Sequence, residues 1–380
     1  MLATLPKIVL VIVALCSMSP SAACADASGP ACLPVGADGR PVLAFQQPDV
    51  PGPQVQAVVT NAVIPAWNRF QVLNAMAPAG TPLVPLTWNP NQFTGMPDLP
   101  PSAKWGSANA YANSAIMVSG RTVGLWADGA DPDLKPSPAA VWPGGSLSAG
   151  CWFPGGNAPQ LFRHADDAVT VAYDLSVAYD GAGGEALSQA YFAFIIEDRA
   201  CMARHVTVAS GHPNYGALHR QAENKCSLSF NITNYATNRQ VATQYNTQPD
   251  PTGSANSLII NAGIDAGTKG ATWLRKIAGS YHARPFSTDH IEFQLLASGV
   301  SELVSTAKEG DPALDISSDP TRYDLNVFAI NNEVIAPCRQ NSCGQLAQLG
   351  LRVSNFRVQQ HSARQDPSSG PARRDRPPPR

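Results

Sequence analysis

Ala168-Val-Thr-Val-Ala-Tyr-Asp-Leu-Ser-Val177 is the stretch whose reading decides the fold. Val169, Val171, Tyr173, Leu175 and Val177 fall on one face, with Thr170, Ala172, Asp174 and Ser176 on the other. A period of two is the pattern of a strand with one side in a core and one toward solvent. After the Gly-rich Asp180-Gly-Ala-Gly-Gly184 comes Tyr191-Phe-Ala-Phe-Ile-Ile196, apolar on both faces and so predicted to lie centrally in a sheet. Downstream the same unit, a strand followed by a Gly, Pro or Asn turn, recurs. The chain reads as a β-sandwich.

Both ends of the 380-residue chain read as something other than that sandwich. Lys7, the apolar run Ile8 to Leu15 and the small-residue pattern ending at Ala25 predict a signal peptide at 1–25, and with it secretion. The apolar run is too short to span a bilayer, so no stable membrane anchor is expected. Residues 362–380 are rich in Arg, Pro and Ser and read as a disordered tail. Outside the signal stand six cysteines: Cys32, Cys151, Cys201, Cys226, Cys338 and Cys343. An even count in an exported chain predicts disulfides rather than zinc, and no C-x-x-C pair occurs. Cys338 with Cys343 and Cys201 with Cys226 are the expected local bridges, which leaves Cys32 for Cys151. Without Lys7 and the tail, the formal charge of −2 becomes about −6 for the body. That body offers no basic track for nucleic acid.

Between the ends, Asp26 to Pro53 reads as an extended arm with little to bury. Val55 to Met76 fits either an interrupted helix or a strand, a bend and a second strand. Residues 77–105 are broken by seven prolines and read as a wrapping loop, so 26–113 forms an N-terminal arm and Pro-rich segment. The core is expected at 114–361, with 26–113 part of the same domain. Ser114 to Trp126 reads as a hairpin turning near Ser119-Gly120, and Asp128 to Gly156 as a Gly/Pro-rich loop. Further strands are read at Ser227 to Thr233, Ser257 to Asn261, His290 to Leu296 and Tyr323 to Ile330. Leu349 to Val358 is charged enough to predict an outer or closing strand, and Ser298 to Lys308 a short helix.

The hairpin near Ile116 to Trp126, the long strand Val169 to Val177, the apolar strand Tyr191 to Ile196 and the terminal strand Leu349 to Val358 together resemble the concanavalin-A-like lectin and glucanase jelly rolls. The resemblance spans about Ser114 to Gln360. It implies an all-β, antiparallel, jelly-roll-like sandwich with long Pro/Gly-rich loops and a concave face that takes carbohydrate. The E-x-D-x-x-E signature of laminarinase-type glucanases and the R-T-E-L-R-like strand of jelly-roll alginate lyases are absent, so no family residue is carried over.

Site candidates come from the residues themselves. In His290-Ile-Glu-Phe-Gln294, Ile291 and Phe293 point one way and His290, Glu292 and Gln294 the other. An imidazole, a carboxylate and an amide on one face suit sugar hydroxyls or proton transfer; an ordinary solvated face shows the same alternation. Trp273-Leu-Arg275 and Tyr281-His-Ala-Arg284 set aromatics beside cations just upstream. The catalytic candidates are Glu292, His290, Tyr281 and Arg284; the substrate-binding candidates are Gln294, Arg275 and Trp273. Glu197-Asp198-Arg199 holds two carboxylates that point to opposite faces, and reads better as a turn anchor. His205, His212 and His219 invite a metal reading, but Gly211, Pro213 and Gly216 argue against one continuous helix. No metal or cofactor is expected. Two functions fit: a secreted polysaccharide hydrolase or lyase, or a non-catalytic carbohydrate-binding or cell-surface interaction protein. A polysaccharide or glycan is the expected partner of both.

Overall fold

The computed structural model describes residues 33–34, 41–47, 50–55, 69–73, 115–128, 144–153, 158–180, 187–209, 212–236, 246–248, 258–280, 288–335 and 348–361. Two sheets face one another. The first holds β1 (Ala44–Gln46), β2 (Val50–Val55), β4 (Ala115–Gly120), β5 (Thr122–Asp128), β7 (Ala168–Asp180), β12 (Leu274–Ala278), β13 (Thr288–Leu296) and β15 (Gln348–His361). Its order is β12-β13-β7-β15-β5-β4-β2, with β1 also paired to β15. The second holds β3 (Arg69–Leu73), β6 (Gly144–Trp152), β8 (Leu187–Asp198), β9 (Ser227–Ala236), β10 (Asn246–Gln248), β11 (Leu258–Gly263) and β14 (Tyr323–Ile335). Its order is β10-β11-β9-β8-β14-β6-β3. Three helices accompany them: α1 (Arg199–His205), α2 (Tyr215–Cys226) and α3 (Ala297–Gly310). The chain crosses repeatedly between sheets, and among the described residues every strand pair is antiparallel except β11 with β9.

Alternation builds this core. Val169, Val171, Tyr173, Leu175 and Val177 of β7 are buried in it, and from the other sheet so are Phe192, Phe194 and Ile196 of β8. Aromatic rings meet in the middle: Phe192 lies 5.7 Å from Phe293 and 5.8 Å from Phe356, edge-on or tilted, as ring quadrupoles prefer. Polar side chains also cross between sheets. Asn234 is an extra residue in β9, where Thr233 and Tyr235 face the adjacent Tyr191 and Ala190, and it accepts a hydrogen bond from the Tyr173 hydroxyl. Tyr235 donates to Asp180 at the end of β7. Asn332 of β14, fully buried, donates to the carbonyls of Leu125 and Leu349 at 2.9 and 2.8 Å.

Several expectations need correction. The N-terminal arm is not empty of core residues, because Leu33, Leu43 and Phe45 are buried against the sandwich and β1 and β2 join its first sheet. The Gly/Pro-rich stretch after Asp128 contains β6; its glycines fit close strand packing, since a Cβ on Gly150 would stand 2.1 Å from the Phe328 carbonyl. β15 is central, not closing: its charges sit on one face while Leu351, Val353, Phe356 and Val358 fill the core. The segment between Cys201 and Cys226 carries two helices rather than an irregular loop, and the expected disulfide joins them. Cys151 is disulfide-bonded too. The signal segment, the Pro-rich run 77–105, the tail, Cys32, Cys338 and Cys343 lie outside the described residues. No described helix is long and apolar enough to cross a membrane.

Tyr173→Phe tests the tie between sheets. It keeps the ring and leaves the Asn234 carbonyl buried without its donor, a loss of roughly 1–3 kcal/mol. Urea unfolding should show that fall; an unchanged midpoint would mean the bond contributes nothing.

Candidate functional site

β15 changes partners halfway along. Residues 348–354 pair with β5, whereas Gln359, Val358 and Arg357 pair with β1. At the change, Asn355 and Phe356 together oppose Tyr173 alone, a bulge, and Asn355 takes φ 54°. Asparagine tolerates that left-handed backbone better than most residues because its short side chain bonds locally. Here Asn355 Nδ2 donates to Asp174 Oδ2 at 2.6 Å. The backbone of the bulge is held from both neighbours: the Asn355 N–H donates to the Arg121 carbonyl, and the Phe356 N–H to Gln47 Oε1.

This break in the sheet leaves a pocket of about 280 Å³ on its outer face. Asp174, His290 and Asn355 form one wall, and Arg121, Arg357, Gln46 and Gln47 complete it. Register brings the wall together, since His290 of β13 sits directly opposite Asp174 of β7. His290 Nδ1 donates to Asp174 Oδ1 at 2.8 Å, and its Nε2 lies 3.4 Å from Glu292 Oε2. Glu292 also faces Arg357 at 3.4 Å. The Asp174 hydrogen bond, and then the bond and charge of Glu292, outweigh partial burial and raise the His290 pKa. Asp174 moves the other way: partial burial opposes it, but Asn355 and His290 lower its pKa. Each of the two groups thus favours the charged form of the other. Gln47 is only 2% exposed, and its Nε2 has no partner among the described residues.

Of the residues singled out in the sequence, His290 is brought into this pocket, and Glu292 and Gln294 share its face of β13. Gln294 accepts from Arg275 at 3.3 Å and donates to Thr170 at 3.1 Å, one row away from the pocket. Trp273 is not at the surface: it is fully buried against Phe230, 5.1 Å between rings, and cannot meet a substrate. Tyr281 and Arg284 lie outside the described residues. Asp174, Asn355, Arg121 and the Gln46-Gln47 pair were not singled out. Asp174 had a signal, being the one charged residue on the outward face of the deciding strand; the others depend on the bulge.

A second cluster stands at the far end of the other sheet. Asp198, read as a turn anchor, caps α1 through the N–H groups of Ala200 and Cys201, while Arg199 pairs with Asp324 at 2.5 Å. Its neighbour Glu197 points the opposite way, under α2, and meets His219, Glu223 and Asn326. Burial, then the Glu223 charge, raises the Glu197 pKa to about 7. α2 begins at Tyr215 and runs through Gly216, so His219 and Glu223 share one face four residues apart. No continuous helix joins His205, His212 and His219, as read from the sequence, but the separate helix α2 pairs His219 with Glu223. His205 is engaged elsewhere, 3.1 Å from Asp315.

No family model and no curated protein matches this sequence. Among solved structures it is similar to the family 11 xylanase from Neocallimastix patriciarum, at 11% identity and TM-score 0.33, over 66% of this chain and 87% of that one. It is similar also to a family 12 xyloglucanase from Bacillus licheniformis, at 10% identity and TM-score 0.32, over 84% and 99%. At that overlap neither assigns a fold or a site to this chain, which rest on its own strands and side chains.

The charge state of His290 can be read from stability. With its folded pKa raised, its stabilisation is complete below the free imidazole value of about 6.5 and is lost as pH rises through the folded value. His290→Gln should therefore lower the melting temperature more at about pH 5.5 than at about pH 9. An equal loss at both pH values would show that the imidazole is not held charged.

Proposed function

We propose that the protein is an exported glycan-binding protein whose ligand enters the pocket between Asp174, His290, Asn355, Arg121 and Arg357. The observation that carries this reading is the lining itself, in which every residue presents a polar group and several are fixed by their neighbours. Both oxygens of Asp174 are already oriented by His290 and Asn355. A carboxylate, three amides and two guanidinium forks offer acceptors and planar donors together, the combination that matches the paired hydroxyls of a sugar. An apolar ligand would strip water from this polar lining without offering it new partners.

Binding fits this pocket better than catalysis. His290 is flanked by Asp174 and Glu292, which favour its protonated form and so work against the free base that a lyase needs. Asp174 stays ionised, so it is not the proton donor that a glycosidase needs. The signal segment read at 1–25 supports placing the encounter outside the cytoplasm.

A panel of soluble neutral and acidic polysaccharides, scored by affinity electrophoresis and by released reducing ends and unsaturated products, tests the reading. Retarded migration on at least one polysaccharide, without product, is expected. Asp174→Ala and Arg357→Ala should each weaken that binding about tenfold or more, the scale of a lost charged hydrogen bond. Product formation that survives Asp174→Ala, or binding unaffected by either change, would overturn it.

A further inference from the structure

We propose that Glu197, His219 and Glu223 form a binding site for a divalent first-row transition-metal ion, zinc or a close relative. The site lies between the end of β8 and α2, apart from the glycan pocket. One oxygen of each carboxylate and one imidazole nitrogen lie within 4.8 Å of one another. His219 Nδ1 stands 3.2 Å from Glu223 Oε1, and the Glu197 carboxylate faces the same ring. That separation is close to the edge of a tetrahedron with metal–ligand bonds of about 2.0 Å, roughly 3.3 Å.

The donors are those that such an ion prefers, one imidazole and two carboxylates. Two carboxylates and a neutral imidazole cancel a dication's charge, whereas the bare pair would repel in a site shielded from water. His219 is only 8% exposed, so bulk water competes little for its ring nitrogen. Asn326, 6% exposed, fixes Glu197 from the side by donating through Nδ2, and its own Oδ1 has no partner.

The local fold holds the three donors in place. His219 and Glu223 are one helical turn apart on α2. The Cys201–Cys226 disulfide ties the end of α2 to α1, and Asp198, next to Glu197, caps α1. The nearby Cys201, His205 and Cys226 group is not a rival, because its two sulfurs are bonded to each other. Three protein donors leave a fourth position open to water or an exogenous ligand, as catalytic zinc sites do.

The test is zinc uptake by the intact oxidised protein, stripped with chelator, desalted and measured by calorimetry and elemental analysis. One zinc per chain is expected, with a rise in melting temperature. Glu197→Gln and His219→Gln should each reduce affinity at least about a hundredfold, and Glu223→Gln, on the more open side, provides a variant that folding problems do not confuse. Cobalt in place of zinc should give visible d–d bands without a thiolate charge-transfer band. No stoichiometric zinc or cobalt uptake by the wild-type chain overturns the proposal. So does uptake unchanged in folded Glu223→Gln, or a thiolate band, which would locate the ion on the cysteines.

Discussion

The inward face of β7 is the constraint on which the rest depends. It lies between β13 and β15, and its alternate residues Val169, Val171, Tyr173, Leu175 and Val177 are all buried. Side chains on a strand alternate strictly, so a slip of one residue would turn these five to water and the outward set into the core. Apolar burial makes that slip costly but does not by itself fix the register between the two sheets. Directional bonds do so: Tyr173 to Asn234, Tyr235 to Asp180, and Asn332 to two carbonyls of the opposite sheet. Each places a polar group in the core only where its partner waits, which penalises every other alignment.

The outer face inherits its geometry from the inner one. With Tyr173 fixed inward, Asp174 must point outward, and the pairing of β13 brings His290 opposite it. The bulge at Asn355 and Phe356 lies against the same Tyr173. One tyrosine thus anchors the core while its neighbour, its cross-strand partner and the facing bulge build the pocket. Discontinuous pairing at that point is also why the pocket exists, since an unbroken strand beside β15 would fill it.

The strands with clean alternation could be read directly: β7, β13 and the apolar β8 stand where their patterns put them. The face carrying His290, Glu292 and Gln294 was readable for the same reason. β15 was misread because Arg352 and Arg357 suggested an edge, although period two only says that one face is polar, not that the strand is outermost. β6 was hidden because Gly144, Gly145 and Gly150 look like turn residues, whereas Gly150 is there to let β14 come close. Asn355, Arg121 and Gln47 meet across gaps of more than seventy residues, and nothing local marks such a junction. Trp273 misled in the opposite direction, an aromatic beside an arginine that belongs wholly to the core. Glu197 and Glu223 stand on different elements, β8 and α2, and meet only where β8 pairs with the start of β9.

The proposed ligand site is on the outer face of the first sheet, at the bulge of β15. Hydrogen–deuterium exchange with and without a saturating oligosaccharide, cut from a polysaccharide that binds, tests it most directly. Added protection should concentrate in peptides covering residues 44–47, 119–123, 286–292 and 352–358. Protection confined to β8, β9 and α2 on the other sheet, with those four regions unchanged, would contradict it.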